Sequence, residues 1–203
     1  MASIGLDIDG CFADFNTGYG KALIEVGGNR FPEGYNFRQP PVWYWERDAG
    51  YPPEVEKEVW TNHILAPEKN FWKKLDPLPG AREALPILDK LSREGNNVYF
   101  LTHRVGVTAK RQTEEWLYEH GMSYPTVILT GADKIPIIRA LKIEFFLDDK
   151  VETMNEVGRV AEEERWMGHY LLFDAAYNRE GRNGKVMVVR TLREALERAQ
   201  LWR

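Results

Sequence analysis

From Gly80 onward the chain repeats one rhythm, a stretch with apolar residues at helical spacing and then a short apolar strand, and this alternation restricts the fold more than any other feature. Ala81 to Glu94 carries Leu85, Leu88 and Leu91 along one side and stops at Gly95, and Val98 to Leu101 is a strand ending at Thr102. The same pattern predicts a helix over Val107 to His120, a strand over Thr126 to Leu129 and a helix over Lys134 to Leu141. A strand from Ile143 to Leu147 then ends at Asp148-Asp149, and a helix follows from Val151 to Glu164. Tyr170 to Phe173 and Val186 to Val189 are further strands, and Thr191-Leu192-Arg193-Glu194 is a capping box that opens the last helix. Strands separated by helices pair in parallel, so the expectation is an α/β fold with helices on both faces of the sheet. There is no internal repeat or low-complexity tract.

The chain has 27 basic and 31 acidic residues, a net charge of −4, and 43% hydrophobic residues, the balance of a soluble globular protein. Its 203 residues suffice for one sizeable core and a small insert. The mild acidity lacks the basic footprint of a protein that tracks nucleic-acid polymers, so no such partner is expected and small-molecule chemistry is favoured. Cys11 is the sole cysteine, which rules out an internal disulfide and a Cys-rich zinc site. No segment approaches the roughly 18 apolar residues of a membrane span and the start of the chain has no signal-peptide pattern, so a membrane partner is not expected and the chain reads as cytoplasmic.

Residues 14–79 break the rhythm. They hold nearly half of the aromatics, among them four of the seven tryptophans, Trp43, Trp45, Trp60 and Trp72, and are interrupted by Pro32, Pro40, Pro41, Pro52 and Pro53. This reads as a separate small insert after the first strand, with a helix near Glu54 to His63, between a core made of residues 1–13 and 80–203. A small unit needs large side chains for its core, so most of these rings are expected inside it and one or two facing a ligand.

The first strand, Ser3-Ile4-Gly5-Leu6, runs into Asp7-Ile8-Asp9-Gly10. Alternate strand residues share a face, so Asp7 and Asp9 point the same way, and two neighbouring anions call for a cation or a shared proton. A lone Asp-x-Asp is also an ordinary turn former or helix cap. In open parallel sheets, however, ligands bind beyond the carboxyl ends of the strands. Asp7 and Asp9, Thr102, and Asp148-Asp149 all end strands and are expected to converge there. Lys134 adds a cation in the first turn of a helix, where it opposes the helix dipole; it is either solvated or compensated by something anionic. Arg179 to Lys185 reads as a turn-rich loop, either solvated or close to substrate.

The ordered set Asp7-Ile8-Asp9-Gly10, Phe100-Leu101-Thr102, Lys134 and Phe146-Leu147-Asp148-Asp149 resembles the four motifs of the haloacid dehalogenase (HAD) superfamily of phosphoryl-transfer enzymes. A response-regulator receiver also uses carboxylates, Thr and Lys, but its acidic pair comes first and its phosphoacceptor later. Within the superfamily, Asp9-Gly10-Cys11-Phe12-Ala13-Asp14-Phe15, Phe71 to Ala81, Ile128 to Lys134 and Phe173 to Arg179 are similar to 5'(3')-deoxyribonucleotidases, which carry their cap where the aromatic insert lies. Those enzymes usually follow the motif threonine with serine; here His103-Arg104 stands instead, and His103 either contacts phosphate or packs beside the loop.

The resemblance implies a HAD-like Rossmannoid sheet and an Mg²⁺-dependent phosphomonoesterase acting on nucleoside monophosphates. It implies Asp7 as nucleophile and Asp9 as general acid and base, Thr102 and Lys134 on the phosphate, and Mg²⁺ held by Asp7, the Asp9 backbone carbonyl and the Asp148-Asp149 pair, with Asp149 as direct ligand and Asp148 as anchor. Trp43, Trp45, Phe71 and Trp72 are the candidates for stacking on a base. Two other readings stay open: a HAD phosphatase for a sugar phosphate or a polynucleotide 3'-phosphate, and a non-catalytic binding protein on the same scaffold, against which the intact motif residues argue. Neither base preference nor oligomeric state is set by the sequence; a homodimer is among the states it allows.

Overall fold

The computed structural model describes residues 1–183 and 186–199. These form a six-stranded, wholly parallel sheet in the order β3-β2-β1-β4-β5-β6. The strands are β1 (Ser3–Leu6), β2 (Asn97–Thr102), β3 (Thr126–Leu129), β4 (Phe145–Asp148), β5 (His169–Phe173) and β6 (Met187–Val189). Between β1 and β2 the chain runs through α1 (Phe15–Gly27), α2 (Trp45–Asp48), α3 (Pro53–Val59) and α4 (Ala81–Arg93). The later helices are α5 (Ala109–Glu119), α6 (Ile135–Ala140), α7 (Val151–Glu163) and α8 (Leu192–Arg198). No helix among the described residues is long and apolar enough to cross a membrane.

Strand alternation divides the core into two layers. Phe100, Phe145, Leu147, Leu171 and Phe173 pack on one face with Leu85 and Leu88 of α4, Trp116 and Leu117 of α5, and Leu192 and Leu196 of α8. Leu101, Phe146 and Leu172, one residue out of phase, pack on the other face with Ile135 and Ile138 of α6 and Met154, Val157 and Val160 of α7. A one-residue slip would therefore exchange the side chains offered to the two layers.

The boundaries that differ from the periodicity have local causes. Lys142 adopts a left-handed φ of 51° and the Ile143 amide donates back to the Ile138 carbonyl at 3.0 Å, so Ile143 closes α6 and β4 begins at Phe145. The helix expected near Glu54 to His63 is α-helical only to Val59; it then widens into a π turn, Trp60–Ile64, closed by Leu65 N to Trp60 O at 2.9 Å. At α8 the Thr191 hydroxyl caps the Glu194 amide at 3.0 Å, but the Glu194 carboxylate returns to the amide of Arg190 at 2.8 Å, one residue before the usual capping-box position. Of the Arg179 to Lys185 stretch, Gly184 and Lys185 lie outside the described residues.

The aromatics of residues 14–79 pack mainly against one another. Phe31 lies 4.8 to 5.5 Å from Phe37, Tyr35, Trp45 and Tyr51, measured between ring centres. Their cluster is continuous with the β1 layer through Phe12, Tyr19 and Trp72. Within this segment the Asp14 carboxylate caps α1 at the Thr17 amide (3.0 Å) and holds Arg38 Nε at 2.7 Å.

Candidate active site

The strand order reverses beside β1, with β2 and β3 on one side and β4 to β6 on the other, which opens a crevice beyond the carboxyl ends of β1 and β4. Asp7 follows β1 and bonds to β4 through its amide, 2.8 Å from the Leu147 carbonyl. Asp148 ends β4 and Thr102 ends β2. A cleft of about 450 Å³ lies over these ends, a size suited to a small-molecule ligand.

Lys134 sits at the centre of the buried floor. It is the residue that caps α6 rather than a member of the first turn, and its Nζ lies 2.9 Å from Asp7 Oδ1 and 2.7 Å from Asp148 Oδ2. The anionic compensation for this cation is therefore a pair of carboxylates. Burial works against its charge, but Asp148 and Asp7 outweigh that and hold its pKa above the ordinary lysine range. Burial raises Asp7 to about 7, helped by Asp148 and Asp9 and opposed by Lys134. Asp149 is pushed well above the usual carboxylate range, by burial first and then by Asp7 and Asp148.

Asp7, Asp148 and Asp149 each offer an oxygen within 4.8 Å of the others. Once ionised, three buried carboxylates beside one lysine carry an excess of negative charge, and hard oxygen donors of this kind fit a divalent cation such as Mg²⁺. The Asp148 oxygens are engaged, Oδ2 by Lys134 and Oδ1 by the Lys150 amide at 2.8 Å. Asp149 accepts the Tyr177 hydroxyl on Oδ2, and its backbone carbonyl accepts Asn178 Nδ2 at 2.6 Å. Gly10 makes this approach possible: its φ is +79°, and a Cβ there would overlap the Asp149 carboxylate and the Tyr177 hydroxyl.

The Thr102 hydroxyl is fully buried and has no hydrogen-bond partner, the one such side-chain atom among the described residues. It lines the cleft, where an oxyanion would satisfy it. His103 is exposed at the rim and its Nδ1 lies 2.9 Å from the Thr130 carbonyl; a carbonyl only accepts, so Nδ1 carries the hydrogen. Asp9 stands apart from the other carboxylates, gripped by Arg104 from Nε at 3.0 and 3.2 Å and from Nη2 at 2.8 Å.

Residues 1–187 match the family described as 5' nucleotidase, deoxy (pyrimidine), cytosolic type C protein. The chain belongs to this family. A Chlorobaculum tepidum protein named "Putative 5'(3')-deoxyribonucleotidase" is 27% identical over 126 residues, 60% of this chain and 58% of that protein. The match thus spans less than two thirds of the curated relative's length. Two solved structures show the same HAD-like fold over nearly the whole chain. A Pseudomonas syringae hydrolase has a TM-score of 0.56 at 14% identity, with 98% of each chain covered. A haloacid dehalogenase-like family hydrolase from Streptococcus pneumoniae has a TM-score of 0.57 at 10% identity, with 100% of this chain and 99% of that one covered.

In this nucleotidase-family chain the cleft gathers Asp7, Asp9, Thr102, His103, Lys134, Asp148, Asp149, Trp43, Trp45 and Trp72. Phe71 does not line it; its ring packs edge-on against Trp72 and Phe15. Trp72 and Trp45 are almost fully buried, Trp72 under Phe15 and Arg104 and Trp45 against Tyr19 and Phe31, whereas Trp43 is 44% exposed. Sequence reading did not single out Tyr19, Tyr44, Glu46, Trp60 or Tyr177 as cleft residues. Tyr19, Tyr44 and Trp60 were visible only as members of an aromatic-rich segment without a period, and Glu46 as one charge among many.

Proposed function

We propose that this protein is an Mg²⁺-dependent phosphomonoesterase of deoxyribonucleoside monophosphates, working in two covalent steps. The observation that carries the reading is the buried Asp7 carboxylate held 2.9 Å from Lys134 on the floor of an aromatic-walled cleft. Uncatalysed phosphomonoester hydrolysis is extremely slow, and fixed charge and position must supply most of the acceleration.

In the first step an Asp7 oxygen bonds to phosphorus while the bond from phosphorus to the leaving oxygen breaks, and Asp9 gives that oxygen its proton. In the second, Asp9 takes a proton from water, the water oxygen bonds to phosphorus, and the Asp7-phosphorus bond breaks to release phosphate. Lys134 orients Asp7, and Thr102 donates its unpartnered hydroxyl to a phosphate oxygen. Asp7 and Asp149, with the Asp9 backbone carbonyl, would hold Mg²⁺, while Asp148, whose two oxygens are already engaged, anchors Lys134. When bound, the ion neutralises phosphate charge and polarises the reacting bonds. Residues 14–79 act as the cap, with Trp43, Tyr44 and Trp60 as the rings best placed to meet a base.

The test is phosphate release from dUMP, dTMP, a sugar phosphate and a 3'-phosphorylated oligonucleotide, each with Mg²⁺ or EDTA. The reading expects turnover of the nucleotides with Mg²⁺ only. Preference for a sugar phosphate or the oligonucleotide would reassign the substrate, and turnover in EDTA would overturn the mechanism.

A further inference from the structure

Arg104, two residues after the strand-ending Thr102, is the one buried arginine among the described residues. The Arg104 side chain is wholly buried and does not line the cleft. Its Nε and Nη2 both donate to the Asp9 carboxylate, and Nη1 donates to Thr113 Oγ1 at 3.0 Å. The Thr113 hydroxyl gives its own hydrogen to the Ala109 carbonyl at 2.7 Å, which leaves a lone pair aimed at the guanidinium. Trp72 covers the guanidinium 5.1 Å from its ring centre, and Trp72 Nε1 ties down the next residue through the Val105 carbonyl at 3.0 Å. The planar fork thus fixes both the position and the plane of the Asp9 carboxylate, which keeps 24% of its side-chain surface open.

We infer that Arg104 is a positioning residue that holds the Asp9 carboxylate in register for both of its proton transfers. The inference rests on the acid and base role proposed for Asp9. A one-ångström displacement of a proton donor costs orders of magnitude in rate. Arg104 touches no substrate, so its loss is expected in turnover and not in binding.

The leaving group separates this role from a structural one. Nitrophenolate departs without a proton, so formation of the phosphoenzyme from 4-nitrophenyl phosphate does not need Asp9, whereas hydrolysis of the phosphoenzyme does. A nucleoside alkoxide needs Asp9 in both steps. The experiment compares rapid-mixing kinetics of the parent, Arg104→Lys, Thr113→Val and Asp9→Asn at saturating Mg²⁺, with 4-nitrophenyl phosphate and dUMP. For Arg104→Lys we expect a nitrophenol burst at close to the parental rate, then steady turnover slower by about 10²-fold, with dUMP slowed in its first turnover by a similar factor. Thr113→Val, which leaves the charge pair intact but frees one end of the guanidinium, should show the same pattern more weakly and covers the case in which Arg104→Lys does not fold. If Asp9→Asn gives this pattern while both other variants slow the burst and the steady rate equally, or slow neither, the inference fails alone. If Asp9→Asn itself makes no distinction between the leaving groups, the acid and base assignment fails and takes the inference with it.

Discussion

Lys134 Nζ lies 2.7 Å from Asp148 Oδ2, and neither side chain has more than a trace of exposure. A buried pair of this kind gains little over a well-packed apolar pair, but removing one member leaves an uncompensated charge away from water. Lys134→Met is therefore expected to destabilise the metal-free protein by about 3 to 5 kcal/mol, read from urea unfolding. Added Mg²⁺ should restore part of this, because the three carboxylates then regain a cation. A loss below 1 kcal/mol without metal would mean that the carboxylates already share protons instead of relying on the lysine.

The elevated Asp7 pKa, about 7 against an ordinary 3.8, fixes the sign of a pH effect. The folded metal-free protein holds the Asp7 proton more tightly than the unfolded chain does. This contribution to stability is complete below about pH 3.8 and is lost as pH rises through 7. Mg²⁺ bound beside Asp7 would relieve the resulting anionic repulsion, so its increment in Tm should be larger at pH 8 than at pH 5.5. Equal increments at the two pH values would place the ion away from Asp7.

Gly10→Ala tests the packing of Tyr177 and Asp149. The added Cβ meets a left-handed φ and the Tyr177 hydroxyl at once. Strain at such positions is on the order of 1 to 3 kcal/mol. Calorimetric titration should show weakened Mg²⁺ binding, because Asp149 must move. Unchanged stability and metal affinity would mean that the loop shifts without cost.

Trp43→Ala and Phe71→Ala form a matched pair. A lost stacking contact of about 1 to 3 kcal/mol would lower kcat/KM for dUMP by roughly five- to 150-fold relative to 4-nitrophenyl phosphate for Trp43→Ala. Phe71, packed on Phe15 and Trp72 outside the cleft, should leave that ratio unchanged. The reverse result would mean that the segment 14–79 rearranges when substrate binds.

The parallel strands and the convergence of Asp7, Thr102 and Asp148-Asp149 were legible because strand ends impose them, whereas Lys134, which caps α6, left a solvated and a compensated reading open. Each strand has a period of two, and a doubly wound sheet brings its carboxyl ends together. The Arg104 clamp was not, since Asp9 and Arg104 stand 95 residues apart and no local pattern marks a partner at that distance. Nor could the directions of the insert's rings be read. Its prolines interrupt any period, and Trp43 and Trp72 differ in exposure because of tertiary packing alone. Ile143 opens the apolar run read as a strand to Leu147, although its amide is used to close α6.

The most direct measurement is phosphate release from dUMP with Mg²⁺ by the parent protein and by Asp7→Asn, matched for Tm. Asp7→Asn keeps the size of the side chain but removes the charge proposed as nucleophile and metal ligand. The expected result is steady release by the parent, none in EDTA, and none above background for Asp7→Asn with Mg²⁺ present. Turnover by Asp7→Asn within about tenfold of the parent would contradict a covalent mechanism through this carboxylate.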